Sequence, residues 1–208
     1  MQQDVVWMGI DEPRIEHLHL HAAGSRIIAD GLVVGLAESQ PLRLSYVLHC
    51  NQHYQVEMAA IRLLTPPSHT VTLHRRGDGQ WTDEQGSLLA QLSRCIDVDI
   101  AVTPFTNTLP IRRLSLATGT AAAIEVAYVE VPSLALRAAP QRYSCLRQTP
   151  QGGIYRFESI DTGFTADVEV DAAGLVVRYP GLFQRQWPSP GERRADESAQ
   201  AAEEQHPR

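Results

Sequence analysis

The chain reads as an all-β protein, mainly antiparallel, rolled or barrelled, and three observations lead there. Short runs of β-branched and aromatic residues recur at spacings of about eight to twelve residues, with glycine-bearing turns between them. The strand-helix-strand rhythm of a parallel α/β sheet is missing. The many antiparallel strands would leave exposed edges unless the sheet curls, so a closed or spiral sheet is expected.

In order along the chain, His17 to His21 alternates strictly, and Ala22-Ala-Gly24 turns it into a second apolar run from Arg26. Asp30-Gly31 has the composition of a tight reversal and predicts a hairpin into Leu32-Val-Val34. Leu42 to His49 and Tyr54 to Leu64 are longer strands, with Leu44, Tyr46 and Leu48 on one face and a short turn at Asn51-Gln52. Pro66-Pro67 ends this hairpin, Val71 to His74 begins the next strand, and Gly77-Asp-Gly79 reverses the chain before Trp81. Thr82 to Gly86 reads as a polar loop, and Ser87 to Leu92 is too short to assign. Ala121 to Val131 is a strand in spite of its alanines, because Ile124, Val126, Tyr128 and Val131 outweigh helix propensity. Leu134 to Leu136 and Gln141 to Leu146 read as one strand interrupted by Pro140. Three further strands follow, Ile154 to Ile160, Phe164 to Val170 and Leu175 to Tyr179. One domain over residues 1–186 and a polar, disordered tail over 187–208 are expected, since little but Pro, Glu, Arg, Ala and Gln follows Trp187.

The segment around which the rest is arranged runs from Cys95 to Leu114. Ile96, Val98 and Ile100 alternate with Asp97 and Asp99, the period of a half-buried strand. After Pro104 the period changes: Phe105, Leu109, Ile111 and Leu114 approximate helical spacing, Thr103 or Thr106 is placed to cap, and Pro110 keeps the helix short. Gly119 is the expected exit from it.

The runs Asp97-Val-Asp-Ile, Thr103-Pro-Phe-Thr-Asn-Thr-Leu-Pro-Ile-Arg-Arg-Leu114, Pro140-Gln-Arg-Tyr143, Tyr155-Arg-Phe-Glu158 and Val177-Arg-Tyr-Pro-Gly-Leu-Phe183 resemble a bacterial family described as "putative glycolipid-binding", long carried as a domain of unknown function. The resemblance covers roughly Val6 to Arg185. It implies a many-stranded spiral β-roll or half-open barrel wrapped around one short central helix, similar to the carriers that shuttle lipoproteins across the periplasm. The family has no established catalytic residues, so none is carried over.

Composition removes several functions. A net charge of -6 speaks against nucleic acid or an anionic membrane surface as the main partner. All eighteen basic residues are arginine, which excludes chemistry that needs a lysine: Walker-type nucleotide hydrolysis and pyridoxal phosphate catalysis. Cys50, Cys95 and Cys145 are three widely spaced thiols, the pattern of reduced, buried cysteines rather than of a zinc site or a disulfide framework. The N-terminus lacks the basic flank and apolar run of a signal peptide, and no segment is long and apolar enough to span a membrane, so a cytoplasmic location without membrane insertion is expected.

Three constellations carry candidate chemistry. Asp97 and Asp99 share a strand face at a separation of roughly 6–7 Å, a spacing that suits an inverting hydrolase. The adjacent Arg112 and Arg113 make a structural ion-pair network the competing reading and predict carboxyl pKa values held down rather than raised. Asn107 adds hydrogen-bonding capacity suited to sugar hydroxyls. Arg142, Tyr143, Tyr155, Arg156 and Tyr179 interleave planar rings with bidentate donors, the surface a headgroup needs. His17, His19 and His21 lie on one strand face, where solvated imidazoles are the commoner arrangement and a metal site the rarer one. The resulting expectation is a non-catalytic carrier, monomeric or homodimeric, with no cofactor. Its amphipathic, glycolipid-like ligand is held inside the rolled sheet, its headgroup near Arg112, Arg142, Arg156 and the two aspartates. The alternatives are a sugar or lipid hydrolase or isomerase working through Asp97 or Asp99, and a protein-interaction module.

Overall fold

The computed structural model describes residues 2–189. It contains one sheet of fourteen strands: β1 (Gln2–Gly9), β2 (Arg14–Ala23), β3 (Arg26–Ala37), β4 (Gln40–Asn51), β5 (Val56–Leu63), β6 (His69–Arg75), β7 (Trp81–Asp83), β8 (Asp97–Ile100), β9 (Ala121–Val129), β10 (Leu136–Thr149), β11 (Gly152–Ser159), β12 (Thr165–Asp171), β13 (Val176–Tyr179) and β14 (Phe183–Trp187). Their order in space is β7 to β1, then β14 back to β8. Each half is therefore a meander of sequential neighbours, and β1 pairing with β14 joins the two. The sheet is rolled but open, with β7 and β8 as its end strands.

Every pair is antiparallel except β8–β9. A parallel neighbour requires a crossover, and residues 101–120 supply it through a 3-10 turn, Phe105–Asn107, and one short helix, α1 (Thr108–Leu114). Neither Thr103 nor Thr106 is the cap: Pro104 and Asn107 stand at the starts of the 3-10 turn and of α1, without a side-chain capping bond, and the Thr103 hydroxyl closes the turn before them by accepting the Phe105 amide proton at 3.0 Å. Pro110 is the third residue of α1, where the ring displaces no intrahelical donor. The helix ends at Ser115, left-handed at φ 46°, and not at Gly119, which serves the following turn. Val102, Phe105, Leu109 and Ile111 are buried, so the crossover fills the inside of the roll with the chain's own side chains.

Three strands escaped the sequence reading: β7, which takes Thr82 and Asp83 of the expected polar loop into the ladder with β6, and β1 and β14, the pair that joins the halves. Trp187 pairs with Val6, so the sheet runs one residue into the stretch expected to be tail. Residues 190–208, the rest of that stretch, lie outside the described residues.

Asp30-Gly31 does not turn the chain: both residues lie within β3. Gly31 is needed for a different reason, since a Cβ there would sit 2.2 Å from the Tyr46 ring. Gly31→Ala is expected to lower stability by about 1–3 kcal/mol through that overlap; an unchanged urea midpoint would show that the Tyr46 ring has room to move.

Pro140 lies inside a continuous β10 rather than in a break. It pairs with Glu125 on β9, and its carbonyl accepts the Ile160 amide proton. The reciprocal donor is missing, and the β10–β11 ladder stops there at Gln141–Ser159.

Cys50, Cys95 and Cys145 are free and buried, and burial pushes the thiols of Cys50 and Cys95 up to about 12. The indole of Trp81 donates to the Cys95 carbonyl at 2.8 Å, tying β7 to the segment that leads into β8. No helix among the described residues is long and apolar enough to cross a membrane.

Candidate functional site

The alternation in β8 buries Val98 and Ile100 on one side, while the two aspartates on the other side meet different surroundings. Asp97 has no exposed surface, and its carboxylate takes the Arg113 guanidinium in a bidentate grip: Nε at 3.0 and 3.2 Å, Nη2 at 2.5 Å. Asp99 accepts from the Thr106 hydroxyl at 2.9 Å and from Gln141 Nε2 at 2.7 Å, both neutral donors. Burial pushes both carboxyls above the usual range; Arg113 pulls Asp97 back, and Gln141 and Thr106 pull Asp99 back, without cancelling it. The depressed values expected from adjacent arginines are thus overturned, because desolvation outweighs the pairing.

Asp99 lines a cleft of about 190 Å³ whose other walls include Thr103, Asn107, Gln141, Phe157, Phe164, Tyr179 and Phe183. Its aromatic side is one connected cluster, with ring centroids at 6.2 Å for Phe157–Phe164, 6.2 Å for Phe157–Tyr179 and 6.4 Å for Tyr179–Phe183. The Arg14 guanidinium lies over the Phe183 ring, 4.9 Å from its centroid. At the polar end the Asn107 side chain is fixed on both sides: it accepts from the Tyr143 hydroxyl at 3.0 Å and donates to the Pro104 carbonyl at 3.2 Å. Gln141 Oε1, in contrast, is buried with no hydrogen-bond partner among the described residues. A buried acceptor without a donor is costly, and this one belongs to a residue of the cleft wall.

The other residues singled out by sequence separate. Arg112 and Tyr155 line a second cleft of about 180 Å³, together with Ile111 and Ser115 at the C-terminal end of α1. There the Arg112 guanidinium sits 5.1 Å from the centroid of the Tyr54 ring, and burial raises the Tyr155 phenol to about 12. Arg142 and Arg156 are exposed on the outer face, where Arg156 pairs with Asp167 at 2.8 and 3.0 Å. That pairing holds the Asp167 carboxyl below its ordinary value. Period 2 already forbids Arg142 and Tyr143, or Tyr155 and Arg156, from facing the same way. His17 and His19 both reach the Asp4 carboxylate, at 3.0 and 2.9 Å, and His21 stacks near His19. No group of three or more metal-ligating side chains is assembled among the described residues.

The strongest polar feature of the interior is one the sequence reading passed over. Glu16, 1% exposed, accepts the Tyr46 hydroxyl at 2.5 Å and the Thr103 hydroxyl at 2.7 Å on the same oxygen. Burial raises its carboxyl to about 7, against the opposing pull of Tyr46, Thr103 and the nearby Arg14. The signal was available: Arg14, Glu16, Leu18 and Leu20 are in phase along β2, so a charged residue at 16 had to point into the core.

The family described as "Putative glycolipid-binding" matches residues 4–185. A crystal structure of a DUF1089 family protein from Pseudomonas aeruginosa superposes with a TM-score of 0.71 at 32% identity, over 82% of this chain and 91% of that one. No curated relative matches the chain. With nearly all of the described residues inside the match, the chain belongs to the putative glycolipid-binding family.

Proposed function

We propose that the chain is a non-catalytic binding or carrier protein for an amphipathic, glycolipid-like ligand, and that the sugar end of that ligand occupies the Asp99–Gln141 cleft. The observation that carries the reading is the partnerless Gln141 Oε1, next to a carboxylate and opposite a wall of rings. Such a wall suits the apolar face of a pyranose, and the acceptors suit its hydroxyls. At about 190 Å³ the cleft is smaller than the ~300–1,000 Å³ typical of pockets that enclose a whole drug-sized ligand. The roll is also filled by the crossover. The acyl part therefore leaves the cleft over its mouth, and the guest is not swallowed by the sheet.

The paired-acid hydrolase reading loses support. Asp97 has no exposed surface, is not part of the cleft wall and has both oxygens engaged by Arg113, so Asp99 faces the cleft without its partner.

Titration of n-octyl β-D-glucoside below its micelle concentration tests the proposal. Saturable binding is expected, weakened about five- to tenfold by Gln141→Leu, the loss of roughly one hydrogen bond, and weakened again by Phe164→Ala. Absence of saturable binding, or binding indifferent to both substitutions, would overturn it.

A further inference from the structure

The outer face of the sheet carries a second feature, away from the cleft walls. Its alternating positions on β14, β1, β2 and β3 should be polar, since they face water. Instead the register sets Met8 opposite Ile15 and Ile15 opposite Val34, one unbroken transverse row across three strands. The neighbouring row holds Trp187, Val6, His17 and Leu32. Met8, Ile15, Leu32, Val34 and Trp187 are each 40–50% exposed. Single exposed apolar residues are ordinary, but two adjacent rows of them form a patch.

The ends of these rows are basic. The first row continues through Val34 to Arg43 on one side and through Gln184 to Arg178 on the other. The second continues from Leu32 through Ser45 to Arg62. None of Arg43, Arg62 and Arg178 forms a salt bridge among the described residues, although Glu169 stands opposite Arg178 in register. Two more acids lie close by: Asp4, which is taken by His17 and His19, and the exposed Asp30, opposite His19 in register and two residues before Leu32.

The patch also reaches the cleft. Ile10, two residues beyond Met8, is half exposed and donates its amide proton to the carbonyl of Leu182, a cleft-wall residue. Gly9 pairs with Phe183, another.

We propose that this face docks on a lipid bilayer containing anionic lipids. Met8, Ile15, Leu32, Val34 and Trp187 enter the interfacial region, and Arg43, Arg62 and Arg178 engage phosphates at its rim. The net charge of -6 speaks against an anionic surface at long range, but attraction at contact is decided within about a Debye length, roughly 8 Å in physiological salt, where the local arginines count. A second copy of the chain fits less well: a two-fold axis along or across the rows brings arginine against arginine at the rim. The proposal goes beyond the ligand reading and does not depend on it.

Sedimentation of the full chain with phosphatidylcholine vesicles, and with phosphatidylcholine–phosphatidylglycerol vesicles at 3:1, tests it. Preferential binding to the anionic vesicles is expected, weakened by 0.5 M sodium chloride. Ile15→Glu with Val34→Glu should reduce partitioning at least tenfold, and Arg43→Glu about fivefold, while circular dichroism stays unchanged. Gln141→Leu, altered only in the cleft, should sediment like the unsubstituted protein. Three outcomes would each overturn the proposal: no binding to either vesicle; binding indifferent to the Ile15 and Val34 changes; or light scattering showing a dimer that Ile15→Glu splits, which would make the face an interface between copies.

Discussion

Arg113→Ala is expected to destabilise the protein by about 3–5 kcal/mol, the cost of leaving a buried charge without its partner. Asp97 has no contact with water, and Arg113, its side chain only 13% exposed, supplies all three of its side-chain hydrogen bonds. Arg75 adds a weaker attraction from a distance, and the thiol of Cys50 is among the groups Asp97 disturbs. With Arg113 gone, the Asp97 carboxyl, already raised by burial, rises further. A raised folded-state value means stability is fullest below the unfolded carboxylate range and falls as pH increases. The deficit of the variant should therefore grow from pH 4 to pH 8, measured by urea unfolding. The double variant Asp97→Asn with Arg113→Ala should recover part of the loss, since no charge remains buried. If Arg113→Ala costs less than about 1 kcal/mol and Asp97→Asn adds its own separate loss, the pair is not what holds α1 to β8.

The same pair marks where sequence reasoning stops. Period 2 places Asp97 and Asp99 on one face, and the crossover helix follows from the spacing of Phe105, Leu109 and Ile111 and from Pro110, so the local frame was legible, the cap excepted. The step of two residues nevertheless carries one carboxylate to Arg113 and the other to Gln141. Gln141 arrives from β10, a tertiary neighbour with no local signal. Arg112 and Arg113 are adjacent in sequence, but on a helix consecutive residues diverge, and they face different clefts or partners. Of the strands that were missed, β1 and β14 lie at the two ends of the described residues, where no turn residues bracket them on both sides, and β7 is only three residues long and mostly polar. Asp30-Gly31 misled because glycine answers to two demands: a left-handed backbone, or an absent side chain beneath a ring. Only packing against Tyr46 separates them.

Glu16 offers the second large effect, and it links the core to the cleft. Its carboxyl stands at about 7 in the folded protein against an ordinary value of 4.5. The folded state thus holds the proton more tightly than the unfolded one. The stabilisation from this group is complete below pH 4.5 and is lost as pH rises to 7. At about 1.4 kcal/mol per pH unit, the loss across that window is about 3 kcal/mol. Glu16→Gln keeps an acceptor for the hydroxyls of Tyr46 and Thr103 but cannot ionise. Its unfolding midpoint should be nearly flat where that of the unsubstituted protein falls, and above pH 7 the variant should be the more stable by about the same 3 kcal/mol. Asp97 and Asp99 titrate in both proteins, so the difference between the two curves isolates Glu16. Parallel curves would mean that the Glu16 carboxyl is already ionised at pH 5 and that Tyr46, Thr103 and Arg14 hold it as an anion. Because the Thr103 hydroxyl bonds both Glu16 and the Phe105 amide and Thr103 lines the cleft, the two outcomes also differ at the ligand: amphiphile binding should track the Glu16 titration in the unsubstituted protein and lose that dependence in Glu16→Gln.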